Sequence, residues 1–121
     1  MRFTKDHQWV ALNGDIAVTG VSAWLAQRLG DVLYLDLPEA GAALQAGGPM
    51  AKLEGANGSA PLAAPLSATV AEANTGLSDG PELVNTDPEG SAWLTRLTLA
   101  DPAQFDGLMD RAAYEAYLDT L

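Results

Sequence analysis

Cysteine is absent from the 121 residues, histidine occurs once, and lysine and arginine together number 6 against 16 aspartates and glutamates. Without thiols there is no disulfide framework, no thiolate metal site and no thiol nucleophile, a composition that fits a reducing compartment. One imidazole, His7, cannot supply the paired ligands usual in a metal site. Set between charged and aromatic residues on the first expected strand, it reads as a structural or surface residue and not as a general base. The shortage of cations leaves a formal charge of −10, which repels polyphosphate and makes nucleic acid a poor partner. No apolar run approaches the ~20 residues that cross a bilayer, and MRFTKDHQWV lacks the apolar segment of an export signal. A soluble, cytoplasmic chain with no membrane partner is expected. Gly-rich phosphate loops, GxSxG elbows and HExxH helices are missing as well, so no catalytic constellation marks an enzyme.

What remains is a chain with 48% hydrophobic residues, enough for one domain over 1–121 that buries roughly two-thirds of its unfolded surface. Its acids are spread along the sequence, as on a solvated face, and they also suit docking onto a basic partner protein. Two Asn-Gly pairs stand out, because both residues tolerate the positive φ of a type I′ hairpin turn. Asn13-Gly14 predicts a hairpin of two strands drawn from Phe3, His7–Val10 and Asp15–Val18. Asn57-Gly58, inside LEGANGSAPLAAP, predicts a second hairpin with an exposed tip. Ser22 is placed to cap a helix through Trp24, Leu25 and Leu29, which Gly30 ends. Asp31–Leu37 reads as a strand closed by Pro38.

After Pro38 the chain carries a weak internal repeat. Turns at Pro38–Gly41 and Gly47–Pro49 flank Leu44 and lead to a strand over Met50–Gly55. Ala64-Pro65 leads likewise to Thr69-Val70, Asn74–Gly76 and Leu83-Val84, so two similar halves could face one another as a flattened barrel or sandwich. The tail reads as helical. Asp101-Pro102 opens one segment with Phe105, Leu108 and Met109 at helical spacing; Asp110 opens another, striped by Ala113, Tyr114, Tyr117 and Leu118. Trp9, Trp24 and Trp93 fall on apolar-patterned elements and read as core.

Four separated segments, FTKDHQW (Phe3 to Trp9), LGDVLYLDLPEAG (Leu29 to Gly41), PELVNTDPEGSAWL (Pro81 to Leu94) and DPAQFDGLMDRAAYEAYL (Asp101 to Leu118), resemble the H proteins of the glycine cleavage system in order and spacing. The resemblance implies a mainly β fold of the lipoyl/biotinyl type. That fold is a flattened barrel-sandwich hybrid of two small antiparallel sheets, with short helices and a C-terminal helical segment. It implies a carrier and not an enzyme. A lipoyl-lysine on a hairpin tip takes methylamine from the decarboxylating P protein, gives the one-carbon unit to the T protein and is reoxidised by the L protein, dihydrolipoamide dehydrogenase. A tethered arm of this kind gives one dithiolane a high effective concentration at several sites in turn.

The family's tip runs Glu-Ser-Val-Lys-Ala-Ala-Ser, with the modified lysine three residues after the Glu and eight before a Pro. Glu54 and Pro65 keep that separation of eleven, which puts the lysine's position at Asn57. Gly55, Ala56 and Gly58 stand for its Ser, Val and Ala neighbours, and Pro61 for an acid. A carboxamide nitrogen is delocalised into its carbonyl and does not attack an activated acyl group. The chain as written is therefore expected to hold no cofactor, although lipoate is the family's. Lys52 lies five residues back, about 16 Å along a strand, and Lys5 is the only other lysine. Restoring Ser, Val and Ala at 55, 56 and 58 is expected to speed lipoylation of an Asn57→Lys chain. Two readings follow. One is an H-protein homologue unable to carry; the other is an interaction or regulatory module that binds glycine decarboxylase or lipoyl-handling enzymes such as lipoate ligase.

Overall fold

Both Asn-Gly pairs do turn the chain, but each turn is centred one residue away from the pair. A computed structural model describes residues 1–121. Strand β2 (Gln8–Asn13) pairs with β3 (Ile16–Val21) around Gly14-Asp15, where Gly14 takes a φ of 64°. Strand β6 (Pro49–Gly55) pairs with β7 (Gly58–Ala63) through Gly55 and Gly58, so the two central residues of that turn are Ala56 and Asn57. Neither has a positive φ, which rules out the expected type I′ geometry.

The remaining strands are β1 (Arg2–Phe3), β4 (Val32–Asp36), β5 (Ala43–Leu44), β8 (Ala68–Ala73) and β9 (Thr95–Leu99). They form two antiparallel sheets, one ordered β1-β2-β3-β9-β8-β5 and the other β4-β6-β7. The two expected halves do not face one another as units: of the first, β6 lies in the smaller sheet, whereas Leu44 on β5 pairs with β8 of the second half in the larger sheet. Strand β9, which alternates buried Thr95 and Leu97 with exposed Arg96 and Thr98, was not among the expected strands. Leu83-Val84 belong to a one-turn helix, α2 (Leu83–Thr86), and Thr75–Ser78 form a 3-10 turn.

Ser22 caps helix α1 (Ala23–Leu29): its Oγ accepts from Leu25 N at 3.2 Å, and Gly30 follows at φ 67°. Such a cap contributes about 1 kcal/mol. Asp110 caps α3 (Arg111–Leu118) in the same way, accepting from Ala113 N at 2.8 Å. Between them the tail departs from the expected helix. Pro102–Gly107 form a 3-10 helix, and Met109 turns extended to exchange two backbone hydrogen bonds with Phe3, at 2.7 and 3.0 Å. Ala113, expected on the apolar stripe, is exposed; Tyr114 alone of α3 is buried.

Two apolar clusters fill the space between the sheets, and a third packs α3 against the other face of the larger one. Leu25, Leu29, Leu35, Leu53 and Leu62 place α1 against the β4-β6-β7 sheet. Val10, Leu66, Val70 and Leu97 hold the larger sheet's inner face. Each fully buried leucine contributes about 1.5–3 kcal/mol over exposure. Trp9, Phe3 and Tyr114 form the third cluster. Trp9 lies across Gly20, where a Cβ would come within 2.5 Å of its ring, and its Nε1 donates to the Pro88 carbonyl at 2.8 Å. Trp24 and Trp93 are only half-buried, each under a guanidinium: Arg28 at 4.4 Å and Arg96 at 4.2 Å from the ring centres. A polar clasp joins the two sheets. Buried Gln8 donates from Nε2 to the Ala63 carbonyl at 2.6 Å, and Ala63 N donates to Asp6 Oδ2 at 2.9 Å. It ties the base of the β6-β7 hairpin to β2.

Candidate functional site

The β6-β7 hairpin ends on an exposed apex formed by Ala56, Asn57 and Gly58. Its position is fixed by main-chain groups. Ala56 N donates to the Asp31 carbonyl at 2.9 Å, and Asn57 N donates to the Leu29 carbonyl at 3.0 Å. The second donor satisfies a carbonyl that the end of α1 leaves without an intrahelical partner, and the first pairs with the segment that joins α1 to β4. They also explain the shifted turn: the apex is shaped by the helix end beneath it, and not by the local preference of Asn-Gly. Strand β4 continues from the same corner and pairs along β6, with Val32 opposite Gly55 and Tyr34 opposite Glu54.

The carboxamide of Asn57 follows the backbone onto the helix. Its Nδ2 donates to the Arg28 carbonyl at 3.4 Å, and the amide lies where a Cβ on Gly30 would meet Nδ2 at 2.8 Å. Gly30 thus gives the side chain its seat, besides taking the positive φ that ends the helix. Gly55 is constrained more tightly. A Cβ there would overlap the Leu29 carbonyl oxygen and come within 3.0 Å of the Leu29 carbonyl carbon and Cβ. The approach of β6 to α1 therefore requires glycine at 55.

Asn85 secures the α1–β4 corner from the other side. Its Oδ1 accepts from Val32 N at 2.9 Å and its Nδ2 donates to the Gly30 carbonyl at 2.7 Å. Beyond the corner, the Arg28 side chain covers Trp24, whose ring stacks on His7 at 4.2 Å. His7 Nδ1 lies 2.9 Å from the Tyr114 hydroxyl, which lies 2.7 Å from Ser22 Oγ. Burial pushes the His7 imidazole below its ordinary value; the Asp6 carboxylate opposes this and the Arg28 guanidinium adds to it. Burial pushes the Tyr114 phenol up. A neutral, stacked imidazole at φ 69° links α1 to α3 and has a structural place, as its surroundings in the sequence suggested.

Of the residues singled out in the sequence, Glu54, Gly55, Ala56, Asn57 and Gly58 are brought together on this apex and the strand end below it. Lys52 is on β6, opposite Pro61, and pairs with Glu54 at 3.2 Å. Lys5 is exposed in the turn joining β1 to β2. Two residues that the sequence did not mark lie beside the apex: Leu33 is 66% exposed and Tyr34 56% exposed, adjacent on edge strand β4 at a bulge. Exposed Asp31, Asp36 and Glu54 surround them. The signal for this patch is the bulge, which turns two consecutive side chains outward where strict alternation would bury one.

The chain matches, over residues 1–121, the family model described as glycine cleavage H-protein. It is 48% identical over 118 residues to the glycine cleavage system H protein of Phenylobacterium zucineum, covering 98% of each chain. With the corresponding protein of Caulobacter vibrioides the identity is 46% over 121 residues and the coverage complete on both sides. The crystal structure of a glycine cleavage system H protein from Mycobacterium marinum superposes with a TM-score of 0.86 at 29% identity, covering 98% of this chain and 95% of that one.

Proposed function

Because the chain belongs to the glycine cleavage H-protein family, whose members are carrier proteins and not enzymes, we propose that it is a member without the carrier's attachment point. The family carries lipoate, and Asn57 stands where the resemblance puts the lipoyl-lysine. The residues present do not fit that group. Asn57 offers a delocalised amide nitrogen that already donates to the Arg28 carbonyl, and no lysine shares the apex. This observation carries the reading: the chain keeps the hairpin, its docking onto α1 and the β4 edge, but has no amine there to acylate.

The test is direct. Incubated with a lipoate ligase, ATP and lipoate, the chain is expected to gain no lipoyl mass, against a lysine-bearing family member as the positive control. A stoichiometric adduct mapped by peptide mass spectrometry to Lys5 or Lys52 would sink the reading. Lys5 is the stricter check, because it also sits on an exposed turn.

The apolar pair Leu33 and Tyr34 favours a second reading, in which the chain docks on the family's partners, the glycine cleavage P, T and L proteins or lipoate ligase, without carrying anything. An apolar centre within an acidic rim suits a partner surface of opposite charge. Association with glycine decarboxylase is then expected at low salt, weakening as ionic strength passes about 0.1 M, where the screening length falls to about 10 Å. Leu33→Ser with Tyr34→Ser is expected to abolish it. Absence of binding at every salt concentration would leave the acids with no role beyond solubility.

A further inference from the structure

The chain has four asparagines, and their surroundings divide them in two. Asn74 and Asn85 precede threonines and are held: Asn74 Nδ2 donates to the Trp93 carbonyl at 2.9 Å, and Asn85 uses both ends of its amide. Asn13 and Asn57 precede glycines on exposed turns. Asn57 has one side-chain hydrogen bond, at 3.4 Å and exposed to water, and a Cβ on Gly58 would meet nothing within 4 Å. Its carboxamide is thus open to water, and the glycine that follows it adds no side chain to crowd an approach of the backbone nitrogen.

We propose that Asn57 is a site of spontaneous covalent modification, in which the apex changes from a carboxamide to a carboxylate. The Gly58 backbone nitrogen attacks Cγ of Asn57, the Cγ–Nδ2 bond breaks, and ammonia leaves with the proton lost by the glycine nitrogen. Water then opens the resulting five-membered imide at either carbonyl, giving an aspartyl or an isoaspartyl residue. Water is the only co-reactant, and nothing is oxidised or reduced. The inference is independent of whether the chain carries lipoate.

The change acts on the contact described above. A carboxylate, ionised at neutral pH with an ordinary value of about 3.9, faces the Arg28 carbonyl, an acceptor to which it has nothing to donate. It also lies at the negative end of α1 and beside the acidic residues Glu54 and Asp31. The isoaspartyl product further lengthens the main chain by one carbon between the donors that hold the apex. Both products release the side chain from the helix, so the tip loosens with the age of the molecule.

Protein held for days at mildly alkaline pH, in water enriched in heavy oxygen, tests this by peptide mass spectrometry, with a free Leu53–Leu62 peptide setting the time scale. Asn57 is expected to convert within about a hundredfold of the peptide's rate, through local opening of the two backbone hydrogen bonds that hold the apex. It should convert at least tenfold faster than Asn74 or Asn85, with one heavy oxygen in the product. Asn57→Gln, whose ring would need six members, is expected to keep its amide over the same period. Asn57→Asp, a stand-in for the aspartyl product, is expected to show faster amide hydrogen exchange at residues 56 and 57. A slower conversion at 57, or equal loss at Asn74 and Asn85, overturns the proposal.

Discussion

Asn57→Lys, treated with a lipoate ligase, ATP and lipoate, is expected to pass from no detectable adduct to modification of most chains, with the lipoyl mass at residue 57. The apex survives this substitution because its position rests on Ala56 N and Asn57 N, donors that do not depend on the side chain. Only the exposed 3.4 Å contact to the Arg28 carbonyl is lost, a cost of at most about 1 kcal/mol. The new amine then projects from an exposed two-residue turn, where a ligase can reach it. The structure reverses what the sequence suggested about the neighbours. Serine at 55 would drive its Cβ into the Leu29 carbonyl, and alanine at 58 would have to adopt a φ of 149°. Each added to Asn57→Lys is therefore expected to lower both stability and the yield of adduct, whereas Ala56→Val is tolerated on the exposed apex. If folded Asn57→Lys, checked by circular dichroism, stays unmodified, residue 57 is not the carrier position.

Phe3→Ala is expected to cost about 3–5 kcal/mol, lowering the melting temperature by roughly 10–20 °C for a chain of this size. Phe3 is fully buried, stacked on Tyr114 with ring centres 4.4 Å apart and planes within 3°. The Arg111 guanidinium covers its ring at 4.8 Å. Its removal empties the joint between the sheet and α3, so protection from hydrogen exchange over Arg111–Leu118 should fall with it. Leu33→Ala is the comparison: an exposed leucine outside the core is expected to change stability by less than about 0.5 kcal/mol. Equal melting shifts for the two would mean that the α3 joint contributes little.

Features written in short local signals were legible before the structure. Ser22 and Asp110 cap helices, Pro38 follows a strand, and Glu54 to Gly58 gather on one exposed tip, because each depends on a few neighbouring residues. Features decided across the fold were not. The apex turn is centred on Ala56-Asn57 because Leu29 and Asp31 accept its amides, a choice invisible in GANGS. The glycine at 55 is needed for a neighbour twenty-six positions away in sequence. Met109 leaves the helical pattern because Phe3 supplies a better backbone partner. Strand β9 had a period-two pattern in Thr95–Leu99 that was available to be read, and only its place between β3 and β8 makes it central.

That place governs the order in which the molecule can be assembled. Strands β3 and β8 have no ladder to each other; each pairs with β9. Thr19 and Thr95, whose hydroxyls meet at 2.6 Å inside the sheet, are 76 residues apart. As the chain leaves the ribosome, the N-terminal hairpin and the β5–β8 region can form, but the inner edges of β3 and β8 stay open until residues 95–99 emerge. Closing such distant segments is slow, and open edges are where chains join one another. The polypeptide is thus most vulnerable to aggregation while the first eight strands are free and β9 is not, and the five residues of β9 end that interval by covering both edges at once.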